Sequence, residues 1–174
     1  MSHKIFRRSI FIGFLFCAQL SYSQTKELRL DGSAFLHMAL YDDFLLGYGG
    51  SLKLLWPLRK NDNFITSAIE FDRLTERNRY TGRNITYTFS MASIGYRKTI
   101  KSFYFEPQAG FGLYNETGYS STCFFAGFEP GIQKRKFSFA LSYHFTSADG
   151  FVFGEQFHIF AIKVGYNILG IKKE

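Results

Sequence analysis

Cysteine is nearly absent from this chain. Cys17 falls inside an apolar N-terminal run, and Cys123 stands alone in everything that follows. A single cysteine excludes an internal disulfide and cannot hold a structural zinc ion. Proline is scarce, at three residues, and no Pro-rich linker separates one part of the chain from another. After residue 20 no stretch of about 20 apolar residues occurs, which excludes a transmembrane helix there. No repeat of solenoid length recurs. The 174 residues leave room for one domain.

What the chain has in excess is aromatic: 22 Phe and 11 Tyr, a composition that favours strands over helices. At the N-terminus Lys4, Arg7 and Arg8 precede the apolar run 10–20, and Ser21-Tyr22-Ser23 supplies small residues where a signal peptidase reads. That order predicts a signal peptide at 1–23, cleaved before Gln24, and a single barrel domain at 24–174. The apolar run is short for a retained anchor, and Phe16 before Cys17 argues against lipidation. Removing Lys4, Arg7 and Arg8, with no acid among them, takes the formal charge from +7 to +4. So mild an excess on an exported chain does not point to nucleic acid.

The clearest pattern is Phe137-Ser138-Phe139-Ala140-Leu141-Ser142-Tyr143-His144-Phe145. Strand side chains alternate, so Phe137, Phe139, Leu141, Tyr143 and Phe145 share one face, and Ser138, Ala140, Ser142 and His144 the other. A broad aromatic face opposite a narrow polar one suits lipid outside and a cramped barrel interior inside. Seven other segments alternate in the same way. Strand one sets Leu30, Ala34, Leu36 and Met38 against Arg29, Asp31, Phe35 and His37, and strand two ends at Pro57. Strand three turns Ile65, Ile69 and Phe71 outward. Strand four is expected to turn Ile85, Tyr87, Phe89 and Met91 outward against Thr86, Thr88, Ser90 and Ala92. Strand five carries Pro107, where a bulge or irregularity is expected because proline cannot donate to the ladder. Strand six places Phe124, Phe128 and Ile132 outward, and strand eight Phe160, Ile162, Val164 and Tyr166. Short turns are expected at 57–63, 98–102 and 134–136, and longer polar loops at 75–84, 115–121 and 147–156. The fold class is therefore all-β: an eight-stranded antiparallel up-and-down transmembrane β-barrel, its even strand count placing both termini in the periplasm.

The leader, the strand Phe103-Tyr104-Phe105-Glu106-Pro107-Gln108-Ala109-Gly110-Phe111-Gly112 and the ending Val164-Gly165-Tyr166-Asn167 resemble the small outer-membrane barrels of the OmpA/OmpX-like superfamily of Gram-negative bacteria. The resemblance covers the whole mature chain and rests on pattern. It implies an outer-membrane protein handled by the barrel-insertion machinery and surrounded by outer-membrane lipid and lipopolysaccharide. A monomer with a structural, envelope-integrity or surface-contact role and no cofactor is expected. Such barrels usually end on an aromatic residue, whereas here Tyr166 is followed by Asn167-Ile168-Leu169-Gly170 and a charged tail.

The inward faces are expected to collect Arg29, Asp31, Lys53, Glu70, Asp72, Glu106, Glu129 and Lys163, with His37, His144, Gln108 and Gln133. An eight-stranded barrel holds little but side chains, and a lone buried ion costs several kcal/mol, so these groups must pair and plug the lumen. Five acids face three bases in that set, so a protonated carboxyl or a further arginine must complete it. An enzymatic alternative starts from His144-Phe145-Thr146-Ser147, which is similar to the His-x-Ser-Asn motif of outer-membrane lipid A 3-O-deacylases. That resemblance implies His144 as general base, Thr146 at the nucleophile position, Ser147 in place of Asn and Glu155 as a nearby acid. Parity, however, turns His144 toward the lumen. Arg73, Arg77, Arg79 and Arg83 form a cluster suited to lipopolysaccharide phosphates, and Trp56, Tyr143 and Tyr166 suit membrane-interface anchors. A secreted lipocalin-like carrier would instead need an apolar interior, with Phe137, Phe139 and Leu141 pointing in. N-terminal sequencing of the exported protein is expected to begin at Gln24; a chain starting at Met1 would remove the signal-peptide reading.

Overall fold

The computed structural model describes residues 28–40, 44–58, 62–77, 84–116, 119–148 and 156–170. The predicted leader, Arg79, Arg83 and Glu155 lie outside the described residues, as do the side chains of Phe44, Arg77, Ala148 and Gly170. Eight strands follow in order: β1 Arg29–Leu40, β2 Phe44–Pro57, β3 Phe64–Arg77, β4 Asn84–Ile100, β5 Phe103–Glu116, β6 Tyr119–Lys134, β7 Phe137–Ala148 and β8 Gln156–Gly170. Each pairs antiparallel with the next, and β1 closes on β8, which leaves no free sheet edge. The shortest strands have 12 residues. About 9–11 residues suffice to cross a bilayer when tilted.

The strands overrun several expected loops. Thr75 to Arg77, Asn115, Glu116 and Tyr119 to Ser121 pair within the ladder, and β7 reaches Ala148. In a closed sheet every neighbour offers backbone partners, so polar composition alone does not stop a strand. The expected turn at 98–102 shrinks to Lys101-Ser102, and that at 134–136 to Arg135-Lys136; Lys101 and Arg135 each take φ of 57°. At Pro107 the β4–β5 ladder skips the pairs from Tyr96 and Arg97 and then resumes in the same register. The register shift lies elsewhere, between Leu30 and Asp31 against β8.

The strand faces match the expected alternation on seven strands. Phe137, Phe139 and Leu141 are 52, 57 and 61 % exposed, with Ala140, Ser142 and His144 buried behind them. Every strand contributes to the outer apolar surface: Leu36, Leu52, Ile69, Ile94, Phe111, Phe128, Leu141 and Ile162 all point outward and are exposed. Soluble monomers rarely carry a contiguous apolar patch beyond about 300–600 Å², so a belt around the whole wall identifies a transmembrane type of barrel. Outward rings also overturn the lipocalin-like alternative, which needs them inside.

β4 corrects the expectation. Phe89 is fully buried and Met91 2 % exposed, with Tyr87 also inside, whereas Ser90 and Ala92 face out. The phase is set further along the strand, where Ile94 and Tyr96 are outward and Arg97 is buried. A period-two face cannot flip midway without a bulge, and β4 pairs with β3 in one unbroken register. Phe89 and Met91 lie opposite Asp72 and Glu70, both lumenal. On this basis Phe89→Ala costs about 3–5 kcal/mol, while Ser90→Leu stays within about 0.5 kcal/mol. Denaturant titration of the folded band on unheated gels measures both, and the opposite ranking would restore the outward phase.

Candidate functional site

The lumen has two storeys. Toward the end carrying the connections 41–43, 78–83, 117–118 and 149–155, the inward side chains are apolar: Leu45, Leu74, Tyr87, Phe89, Met91, Tyr114, Cys123, Phe125, Phe157 and Ile159 form one buried cluster. The Phe89 ring lies 5.3 Å from both Tyr114 and Phe157, tilted to one and edge-on to the other. Such arrangements suit aromatic quadrupoles and add to the area they bury. Toward the short-turn end the inward charged side chains gather, with Leu55 and Phe64 buried at the same end.

That charged storey is a continuous chain of contacts. Asp31 Oδ2 lies 3.6 Å from Arg97 Nη1, and Arg97 Nε donates to Glu106 Oε2 at 2.7 Å. Glu106 Oε1 meets Lys53 Nζ at 2.9 Å, and Lys53 reaches Glu129 at 3.2 Å. Glu129 lies 3.4 Å from Lys163, Lys163 donates to Glu70 at 2.9 Å, and Glu70 faces His144 Nδ1 at 3.4 Å. In that order the residues come from β1, β4, β5, β2, β6, β8, β3 and β7. Each strand supplies one member, and acids alternate with bases along the path. Neutral donors add hydrogen bonds from Tyr104 Oη to Glu129, Thr66 Oγ1 to Glu106 and Asn167 Nδ2 to Asp31, while Glu70 Oε1 has none among the described residues. The Arg97 guanidinium also lies 4.0 Å from the Tyr104 ring centroid, and Lys163 Nζ 4.6 Å from that of Phe35. Gly131, paired with Tyr104, leaves the space its ring occupies; a Cβ there would strike that ring.

The structure thus brings together Asp31, Lys53, Glu70, Glu106, Glu129, His144 and Lys163. Asp72 sits slightly apart, its Oδ1 3.2 Å from His37 Nε2 but outside hydrogen-bond alignment. Arg29 is half-buried at the rim with its guanidinium 5.1 Å from the Phe64 ring centroid, and among the described residues it makes no ion-pair contact with the network. Its place is taken by Arg97, which borders the turn expected at 98–102 and is absent from the expected inward set. Carrying the Ile94/Tyr96 phase one residue on would have found it.

Among the described residues His144 and Thr146 do not pair as the hydrolytic alternative requires. His144 is buried on the lumen side with Nε2 2.7 Å from Gln108 and Nδ1 toward Glu70. Thr146 Oγ1 is buried with no hydrogen-bond partner among the described residues, so His144 does not activate it. Ser147 is buried too, although alternation sets it on the face opposite Thr146. Arg73 stands exposed on the outer face of β3, paired with Tyr48 of β2.

Fold and lumen together define an eight-stranded transmembrane β-barrel with a side-chain-filled interior. No protein-family model matches the chain, and no curated protein matches it significantly. Among solved structures it is similar to Neisserial surface protein A, with a TM-score of 0.60 at 10% identity, over 81% of this chain and 97% of that one. It is also similar to Ail, the attachment invasion locus protein of Yersinia pestis, in complex with the heparin analogue sucrose octasulfate. There the TM-score is 0.56 at 14% identity, over 83% of this chain and all of that one. The same outer-membrane protein in a phospholipid bilayer nanodisc gives 0.51 at 15% identity, over 79% and 99%.

Breaking one link of the network is expected to cost more than removing two. Lys163→Met leaves Glu70 without its lysine and should destabilise the barrel by about 3–5 kcal/mol. Adding Glu70→Gln should recover part of that loss. Denaturant unfolding in detergent or vesicles measures the cycle, and strictly additive losses would mean that the two groups do not interact.

Proposed function

We propose that this chain is an outer-membrane β-barrel with a structural, envelope-integrity or surface-contact role, and that it carries no catalytic site. One observation supports the reading above the rest: an apolar belt on all eight strands encloses an interior filled by ion pairs and aromatic rings. The belt needs hydrocarbon as its solvent, and the filling leaves nothing for a pore or a lipid substrate to use. In this reading both chain ends lie on the periplasmic side with the short turns, and the longer connections face outward.

The barrel inserts through the barrel-insertion machinery and works as a monomer among outer-membrane lipid and lipopolysaccharide. Arg73, with Arg77, Arg79 and Arg83 close in sequence, supplies the guanidinium groups that would meet lipopolysaccharide phosphates. The Ail structure shows a related fold holding a sulfated sugar, which favours surface contact with polyanions for this chain as well.

Membrane fractionation tests the reading together with conductance. The folded protein is expected to require detergent, to shift in gel mobility on heating, and to give no steady conductance in planar bilayers. Partitioning into the aqueous fraction would remove the membrane placement, and large stable pores would remove the occluded lumen.

A further inference from the structure

Barrel insertion asks only that the outer wall be apolar; it does not ask for a groove. Yet on β1 and β2 the outward side chains shrink. One row across the wall reads Phe71–Gly50–Ala34–Val164, and the next, toward the turn end, reads Ile69–Leu52–Gly32–Tyr166. Gly50 and Ala34 in the middle and large residues at the sides make a trough of about 670 Å³, walled by Ile69 and Phe71 on one side and by Val164, Tyr166 and Phe137 on the other. Leu52 also lines it, and Ile168 lies over Gly32. Its floor is open at Gly50, where an added Cβ would meet nothing nearer than the Ser33 carbonyl oxygen at 3.4 Å.

The trough continues at one end into a second groove, of about 840 Å³, with which it shares Phe137 and Tyr166. That groove is lined by Lys134, Arg135 and Lys136, all exposed, together with Phe139. The turn is held in place: the Asn167 N–H donates to the Lys136 carbonyl at 2.7 Å, and the Gln133 N–H to Ser102 at 2.7 Å. Lys136 Nζ lies 6.0 Å from the Tyr166 ring centroid, and that ring lies 5.2 Å from the Phe137 ring, edge-on. No acid lines either groove among the described residues. Three cations on a held backbone thus sit at one end of an apolar channel, at the depth where a strand turn meets the headgroup layer.

We infer that this wall binds one anionic glycerophospholipid, its phosphate held by the Lys134-Arg135-Lys136 turn and one acyl chain laid along the Ala34–Gly50 trough. The inference rests on the membrane-embedded reading above. A zwitterionic lipid offsets its own phosphate and leaves the three cations uncompensated, so net negative charge is what the turn selects. Lipopolysaccharide also carries phosphates, but in this reading it occupies the leaflet at the opposite end of the barrel.

Native mass spectrometry of the full-length mature protein in neutral detergent, offered equal phosphatidylglycerol and phosphatidylcholine, tests the site. Phosphatidylglycerol should be retained about tenfold over phosphatidylcholine. Lys134→Glu with Lys136→Glu should abolish that preference, and Gly50→Leu should lower retention of both lipids by filling the trough. Lys98→Glu, on the same rim but outside both grooves, should change nothing. Heat-modifiable gel mobility confirms that each variant is folded. Equal retention of the two lipids by the wild type, indifference to the double reversal, or preferential retention of lipid A would overturn the site. A wild-type protein that stays dispersed without detergent would instead overturn the membrane reading itself, which keeps the two failures apart.

Discussion

An eight-stranded barrel has room inside for side chains and little else, and that constraint governs the rest of this molecule. Charged groups drawn into so narrow a space cannot keep their hydration, so they persist only as partners of one another. The path from Asp31 to His144 meets that requirement with one residue from each strand. It therefore links strands that the backbone ladder never pairs, such as β2 with β5 and β3 with β8. A hydrogen-bonded ladder fixes neighbours; this network fixes the cross-section. Misregistering one strand by a single residue would turn its charged member to the lipid and leave its partners bare.

The division into storeys follows from the same narrowness. Ion pairs at the turn end and aromatic rings at the loop end fill the lumen by different means. The charged half is held by directional contacts such as Arg97 to Glu106 at 2.7 Å. The apolar half is held by packing among Phe89, Tyr114 and Phe157. His37 and Asp72 lie near the boundary, 3.2 Å apart yet poorly aligned. Hydrogen bonding is thus incomplete where the two regimes meet.

How far the sequence disclosed this depends on which face carried the contrast. In β7 every outward residue from Phe137 to Phe145 is large and the inward ones from Ser138 to Ser142 are small, so strand, phase and lipid face were all legible. In β4 the loop-end half has large residues inside and Thr86, Thr88, Ser90 and Ala92 outside, which reverses the usual cue. A window that stopped at Ala92 therefore read the phase backwards. Ile94, Tyr96 and Arg97 held the information, because alternation must run unbroken along a strand paired in one register. The same slip hid Arg97, although the imbalance of five acids to three bases had already called for another arginine. The groove on the outer wall was not legible at all, since it depends on Gly50, Ala34 and Gly32 from two strands falling side by side.

The consequence for function is a matter of where freedom remains. Inner positions are committed to one another, so a change of ligand or partner there would dismantle the cross-section before it created a site. Outer positions answer mainly to hydrocarbon, which accepts many side chains of similar character. Departures from that uniformity, such as the trough beside the basic turn and the exposed Arg73 amid the wall, are thus the places where the barrel's chemistry exceeds what insertion demands. A scaffold this rigid inside can specialise only on its surface, and its specificity is written in the few outward residues that a bilayer alone would not have selected.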